Sequence, residues 1–225
     1  METIRKVTFD KDFSDKVSNY RTMIFEADVE NCDTTEAQKC VMKDLAAEIS
    51  SRYEVGEINS IPAIAATRKA YKACGKDPNR YRPSQEQMMR RIVKGLGLYN
   101  VNALVDAGNE LSLKTGCSVG CFDADKVKGN IITLGVGRAG EPYEGIGRGE
   151  LNIEGLPVFR DSIGGIGSPT SDNVRTMLTL DTKRIFVTVH LFDPTIDAQE
   201  VKDLFVDIFK RWGTARNIKY EIFAL

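Results

Sequence analysis

The densest set of groups with chemical potential lies between residues 161 and 176, in DSIGGIGSPTSDNVRT. It holds the glycines Gly164, Gly165 and Gly167, the hydroxyls of Ser168, Thr170 and Ser171, and the charged pair Asp172 and Arg175. Glycines let a main chain approach a ligand closely, and hydroxyls and charges orient it. A phosphate, an ester carbonyl, an amino acid or the loop's own turn would each suit these residue types. Asp172 and Arg175, three apart, also suit a simple turn ion pair.

A phosphate is the least supported of these occupants. Both GIGRG (145–149) and GGIG (164–167) offer backbone N–H groups, but neither opens a helix and no Gly-Lys-Ser/Thr follows. The chain has no Gly-x-Ser-x-Gly elbow, and its single histidine, His190, sits inside the strand-like FVTVHLF. A packed histidine fits that setting better than a general base, so a Ser-His-Asp triad is not supported. Five cysteines without framework spacing (Cys32, Cys40, Cys74, Cys117, Cys121) read as reduced thiols, Cys117 and Cys121 being the only close pair. No metal and no cofactor is expected from one histidine and scattered thiols.

Asp106 and Asn109 share one helix face, where they can line a pocket or merely cap neighbouring turns. Charge is the other signal. Net charge is −1, yet residues 68–94 carry nine basic side chains against Asp77 and Glu86, while residues 1–57 carry thirteen acids against eight bases. Lys76, Arg80, Arg82 and Arg90, interleaved with Tyr81, suit a phosphate backbone; solvated helix faces carry such charge as well.

The elements that must position these residues are legible in the hydrophobic pattern. RTMIFEADV (21–29) reads as a strand. Asp33 to Glu36 reads as a capping box opening a helix with Val41, Leu45 and Ile49 on one face. A helix over 60–74 stops at Gly75, and Pro78 and Pro83 forbid its continuation. Ser84 to Gln87 forms a second capping box before Met88, Met89, Ile92 and Val93, and Asn102 caps a helix that Gly116 ends.

After Asp123, NIITLGV, GELNIEGLPVF, RTMLTLD and KRIFVTVHLF read as strands between glycine-rich turns, forming one sheet or barrel. Asp197 then opens an amphipathic helix (Val201, Leu204, Phe205, Ile208, Phe209, Trp212) that Gly213 closes, and NIKYEIFAL returns as a strand beside the first one. The fold expected is therefore α+β. Helices of the N-terminal half pack on a mixed or antiparallel sheet or small barrel, followed by a C-terminal amphipathic helix and a final strand, as one domain over 1–225. No apolar run reaches the length of a membrane span and the charged N-terminus lacks a signal-like apolar stretch, so a cytoplasmic protein without membrane partners is expected.

The segment NVNALVDAGNELSLKTGCSVGCFDADKVKGNI (100–131) resembles the B3/B4 domain of the phenylalanyl-tRNA synthetase beta subunit. The residues that carry the resemblance are Val105, Asp106 and Asn109 on the helix, Gly116, Phe122, Asp123, Asp125 and Val127, and later the pair Gly164 and Gly165. It spans roughly residues 83–192, and YKACGKDPNRYRPS (71–84) looks like the stand-alone members of the superfamily. Two departures stand out: Gly108 replaces a threonine before Asn109, and Gly120 replaces a histidine before Cys121 and Phe122, with Asp172 the carboxylate nearest the family's acidic position.

The resemblance implies editing: hydrolysis of a mischarged aminoacyl ester on tRNA without a metal. It implies that backbone N–H groups of Gly164 to Gly167 hold the ester oxyanion while Asn109, Thr170 and Ser171 orient water and ribose. Gly108, Ser118, Gly120, Ser168, Asp172 and Arg175 would line the amino-acid pocket, and Lys76, Arg80, Tyr81, Arg82 and Arg90 would meet the tRNA. Aminoacylated tRNA and an amino-acid-like ligand are the expected partners, DNA is not, and charging of tRNA is excluded for want of an ATP-binding segment. A non-catalytic amino-acid or tRNA-end binding module on the same scaffold is the alternative, and an enzyme acting on a small metabolite is a weaker third.

Overall fold

The computed structural model describes residues 4–225. Strand β1 (Lys6–Phe9), the short helix α1 (Lys11–Ser14) and strand β2 (Arg21–Asp28) lead into four helices, α2 (Glu36–Arg52), α3 (Pro62–Cys74), α4 (Ser84–Val93) and α5 (Ala103–Thr115). Then come β3 (Ser118–Asp123), β4 (Ile131–Val136), the hairpin β5 (Glu144–Gly145) and β6 (Gly149–Glu150), β7 (Pro157–Arg160), β8 (Gly165–Ser168) and β9 (Ser171–Asp172). The last elements are β10 (Arg184–Leu191), α6 (Ala198–Gly213) and β11 (Arg216–Ala224).

Local chemistry explains most boundaries. The Asn102 side chain accepts from Val105 N–H at 3.0 Å to start α5, and Gly116 at φ 68° ends it. Asp197 does the same for α6 through Gln199 N–H at 2.8 Å. Neither expected capping box forms. Thr35, not Asp33, caps α2 by accepting from Gln38 N–H at 3.2 Å. Pro83 precedes α4 and Ser84 is already helical, its amide donating to Pro169 O at 2.7 Å. At the end of α6 the left-handed position is Thr214 (φ 46°), not Gly213. Gly213 serves contact instead, since a Cβ there would lie 2.5 Å from Leu104 Cδ2 on α5.

The strands form two open sheets and a hairpin rather than one sheet or a barrel. One sheet is antiparallel, in the order β11-β2-β10-β3, so the last strand does return beside β2. The other runs β1-β4-β7-β8-β9, with only the β1–β4 pair parallel. β10 leaves its sequence neighbours for the first sheet because RIFVTVHL is apolar on both faces and needs burial on both. Residues 175–181, expected as a strand, begin in a 3-10 turn over Val174–Thr176, which Asn173 caps through Arg175 N–H at 2.9 Å.

The two sheets pack face to face through Ile24, Phe122 and Phe186 on one side and Ile132, Leu134, Phe159 and Ile166 on the other. The opposite face of the four-stranded sheet lies under α5 and α6, where Phe205 stacks on Phe25 at 3.9 Å. A third cluster joins α2, α3, α4 and α5 through Met42, Ile49, Ile64, Met89, Ile92 and Leu113. Among the described residues no helix is long and apolar enough to cross a membrane.

Candidate functional site

β3 is an edge strand of the four-stranded sheet, and its outer edge is where the predicted residues gather. α5 packs on one side of it. Gly108 makes this possible, because a Cβ would lie 2.5 Å from Cys121 Sγ. The next residue, Asn109, is half-buried, and its amide has no hydrogen-bond partner among the described residues. Asp106 has a different job. Its carboxylate accepts from Thr34 Oγ1 at 2.6 Å and from Val101 N–H at 3.3 Å, bracing the start of the helix.

On the other side of the edge sits β9. Cys121 N–H donates to Asp172 Oδ2 at 3.0 Å, so the main chain of β3 fixes this carboxyl. Asp172 is half-buried and has no cation within ion-pair distance. Burial pushes its pKa up to about 7, against which the Cys121 hydrogen bond works only in part. The expected turn pair with Arg175 does not form: Arg175 instead grips Asp161 through two bonds of 2.8 and 2.9 Å. Asn109 and Asp172 each keep unspent polar capacity.

Ser168 and Thr170 build the turn between β8 and β9. Ser168 Oγ accepts from the amides of Thr170 and Ser171, both at 3.3 Å, and donates to Ser171 O at 3.1 Å. Thr170 Oγ1 shares a hydrogen bond of 2.9 Å with Tyr71 OH, and Ser118 Oγ donates to Gln85 Oε1. Ser118 and Thr170 are buried, and Ser118 Oγ also lies 3.3 Å from Pro169 O in the same turn. Ser171 lies beside Asp172, its hydroxyl donating to Asp172 O at 3.3 Å.

Part of the expected set of oxyanion donors is committed elsewhere. Gly164 N–H is given to Asp161 Oδ1 at 3.1 Å, and Gly165 to Ser168 lie in β8, paired with β7 on one side and β9 on the other. Gly165 is needed for packing, since a Cβ would meet Tyr143 Cδ2 at 2.9 Å. Gly164, Gly165 and Arg175 do share an open groove of about 450 Å³ with Pro142, Tyr143 and Asn173.

Gly120 does not line an open concavity either. The Phe122 ring fills the space that two glycines vacate, 2.7 Å from a Cβ built on Gly120 and 2.5 Å from one on Gly167. His190 is packed between Phe159 and Phe192 and bonded to Tyr20 OH at 2.8 Å, and burial lowers its pKa to about 3, so it is no base. Burial raises both the Cys117 thiol, to about 12, and the Cys121 thiol, which leaves neither as a nucleophile. No group of three or more metal-ligating side chains occurs among the described residues.

Much of the basic stretch is spent inside the protein. Glu86, fully buried, holds Arg68 at 2.9 Å and Arg90 at 2.8 Å, with Arg82 at 3.8 Å. Lys76 donates to Asn152 O and Glu154 O, both at 2.7 Å, and lies 3.7 Å from the Tyr81 ring. Lys76 and Arg90 are therefore held by contacts within the protein. Arg80 and Arg82 remain exposed, with Arg148 nearby through its bond to Gln87. The Arg90 contact of Glu86 was readable, the two lying four residues apart on α4. The parts played by Cys121 N–H, Tyr71 and Tyr143 carry no such signal.

A family profile described as B3/4 domain matches residues 66–207, a wider span than 83–192 that takes in part of α3 and of α6. The phenylalanine–tRNA ligase beta subunit of Bartonella henselae is 30% identical over 123 residues, which is 50% of this chain and 14% of that subunit. Its counterpart from Brucella suis biovar 1 is 29% identical over 150 residues, 62% of this chain and 17% of the subunit. The chain thus matches a small part of the length of these relatives. A solved N-terminal fragment of the phenylalanyl-tRNA synthetase beta-subunit from Pyrococcus horikoshii aligns with 98% of this chain and 52% of its own, at 16% identity and a TM-score of 0.44.

Proposed function

The chain belongs to the B3/4 domain family, and on that premise we propose that it binds the aminoacylated end of a tRNA and hydrolyses the aminoacyl ester, with Asp172 as general base. The observation that carries this reading is the setting of Asp172: half-buried, fixed by Cys121 N–H and free of any cation, with a pKa of about 7. A base poised near neutrality takes a proton from water without being tied up by a counter-ion. Water attacks the ester carbonyl and gives its proton to Asp172. The bond from the acyl carbon to the ribose oxygen then breaks, and that oxygen takes the proton, releasing amino acid and free tRNA end.

Asn109 supplies an amide for the substrate's carbonyl or amino group, and Ser171 supplies a hydroxyl beside the base. Thr170 and Ser168 hold the turn that carries Asp172. Arg80 and Arg82 offer phosphate contacts, in a cytoplasmic setting. One observation favours a second reading, a module that binds without turnover: the Gly164 amide, one of the expected oxyanion donors, is committed to Asp161.

Deacylation of a panel of correctly and wrongly charged tRNAs separates the two. Hydrolysis of at least one substrate, lost in Asp172→Asn, supports the enzyme. Binding of charged tRNA with no hydrolysis of any member supports the module.

A further inference from the structure

β11 is the longest open edge among the described residues. It pairs with β2 on one side only, over Arg216–Ala224, and no backbone bond reaches its other side. The opposite edge of the same sheet is covered by β9 at Cys121. β11 has no proline, and Tyr220 and Ile222 stand 46% and 43% exposed along it. An edge of this kind templates the pairing of another strand unless something blunts or covers it.

The direction of the free groups follows from the pairing with β2. Leu225 N–H donates to Tyr20 O, so Phe223, Glu221 and Lys219 share its inward phase and the amides and carbonyls of Tyr220, Ile222 and Ala224 point outward. The natural occupant must match this phase and the side-chain pattern IKYEI over 218–222.

We propose that the occupant is a second copy of this chain, its β11 paired antiparallel about a twofold axis through Tyr220. That register sets Tyr220 opposite Tyr220, Ile218 opposite Ile222 and Lys219 opposite Glu221, twice over. The outward groups of Tyr220 meet those of its symmetry mate in phase, and those of Ile222 face Ile218 beside the register shift. Moving the twofold axis one residue either way, a slide of two residues, sets Lys219 opposite Lys219 or Glu221 opposite Glu221, and like charges directly opposite are unfavourable. The charge pattern therefore favours this register over its two neighbours, and the apolar stripe of Ile218, Tyr220 and Ile222 runs across the axis. The two four-stranded sheets become one continuous sheet, an isologous interface of the commonest symmetry. The inference is independent of the proposed function.

Sedimentation equilibrium tests it. Wild-type protein should approach twice the 25.0 kDa of one chain as concentration rises. Glu221→Lys replaces two attractive pairs by two repulsive ones and should weaken association by on the order of tenfold to a hundredfold. Added salt should shrink that defect, because exposed charges are screened. Ile222→Pro removes one outward N–H while sparing the bonds to β2, and should also give a monomer, with circular dichroism confirming the fold. A wild type that stays at one-chain mass overturns the proposal, as does association of either variant equal to wild type.

Discussion

Replacing Asp172 by Asn tests the electrostatics of the site without removing its shape, since the amide oxygen still accepts from Cys121 N–H. Burial raises the folded-state pKa from 3.8 to about 7, so the folded protein binds this proton more tightly than the unfolded chain does. Ionising the carboxyl therefore costs stability. The cost is absent below about pH 4, grows between 3.8 and about 7, and stays constant above. At about 1.4 kcal/mol per unit over roughly three units, it reaches about 4 kcal/mol. Urea unfolding of wild type and Asp172→Asn across this pH range measures it. The variant should gain on wild type by that amount between about pH 4 and pH 8, all other titrating groups being shared. A stability difference that does not change with pH, or one that moves the other way, would refute the claim that Asp172 ionises against burial.

Glu86→Gln should destabilise the protein by about 3–5 kcal/mol in the same unfolding assay, because Arg68 and Arg90 lose their buried counter-ion; a loss under about 1 kcal/mol contradicts the hub assigned to it. Neutralising Arg80 and Arg82 together should lower the salt dependence of tRNA binding by up to about two units of slope, and an unchanged slope assigns them to solubility. Arg90→Gln should instead act mainly on stability. Thr170→Val strands the buried Tyr71 hydroxyl and should cost about 1–3 kcal/mol, and a neutral result would mean that water replaces the threonine.

Helices and caps with local causes were legible in the sequence: Asn102, Gly116 and Asp197 act through residues a few positions away, and the α6 stripe lies over Phe25 as its spacing implies. Strand partnership was legible for β11 beside β2 but not for β10, which is placed by burial on both faces and by its pairing with β2 and β3. The site was legible in part. Asn109 and Asp172 were identified by type, but the bond of Gly164 N–H to Asp161 is one local turn among several the sequence allows, and the commitment of Arg175 to the same carboxylate and of Phe122 to the space over Gly120 and Gly167 depends on tertiary placement. The basic stretch misled for a related reason. Its charge was counted, but Glu86 turns much of it inward.

The central claim is that Asp172 serves as the base for ester hydrolysis at the edge of β3, and single-turnover deacylation as a function of pH tests it most directly. With the most susceptible aminoacyl-tRNA of the panel, the wild-type rate should rise with pH through an inflection near the value of about 7 set by burial. Asp172→Asn should lower the plateau by about a hundredfold or more and abolish the inflection, as expected for loss of a general base. An Asp172→Asn rate equal to wild type, or a wild type that binds charged tRNA and hydrolyses none of it, contradicts the account.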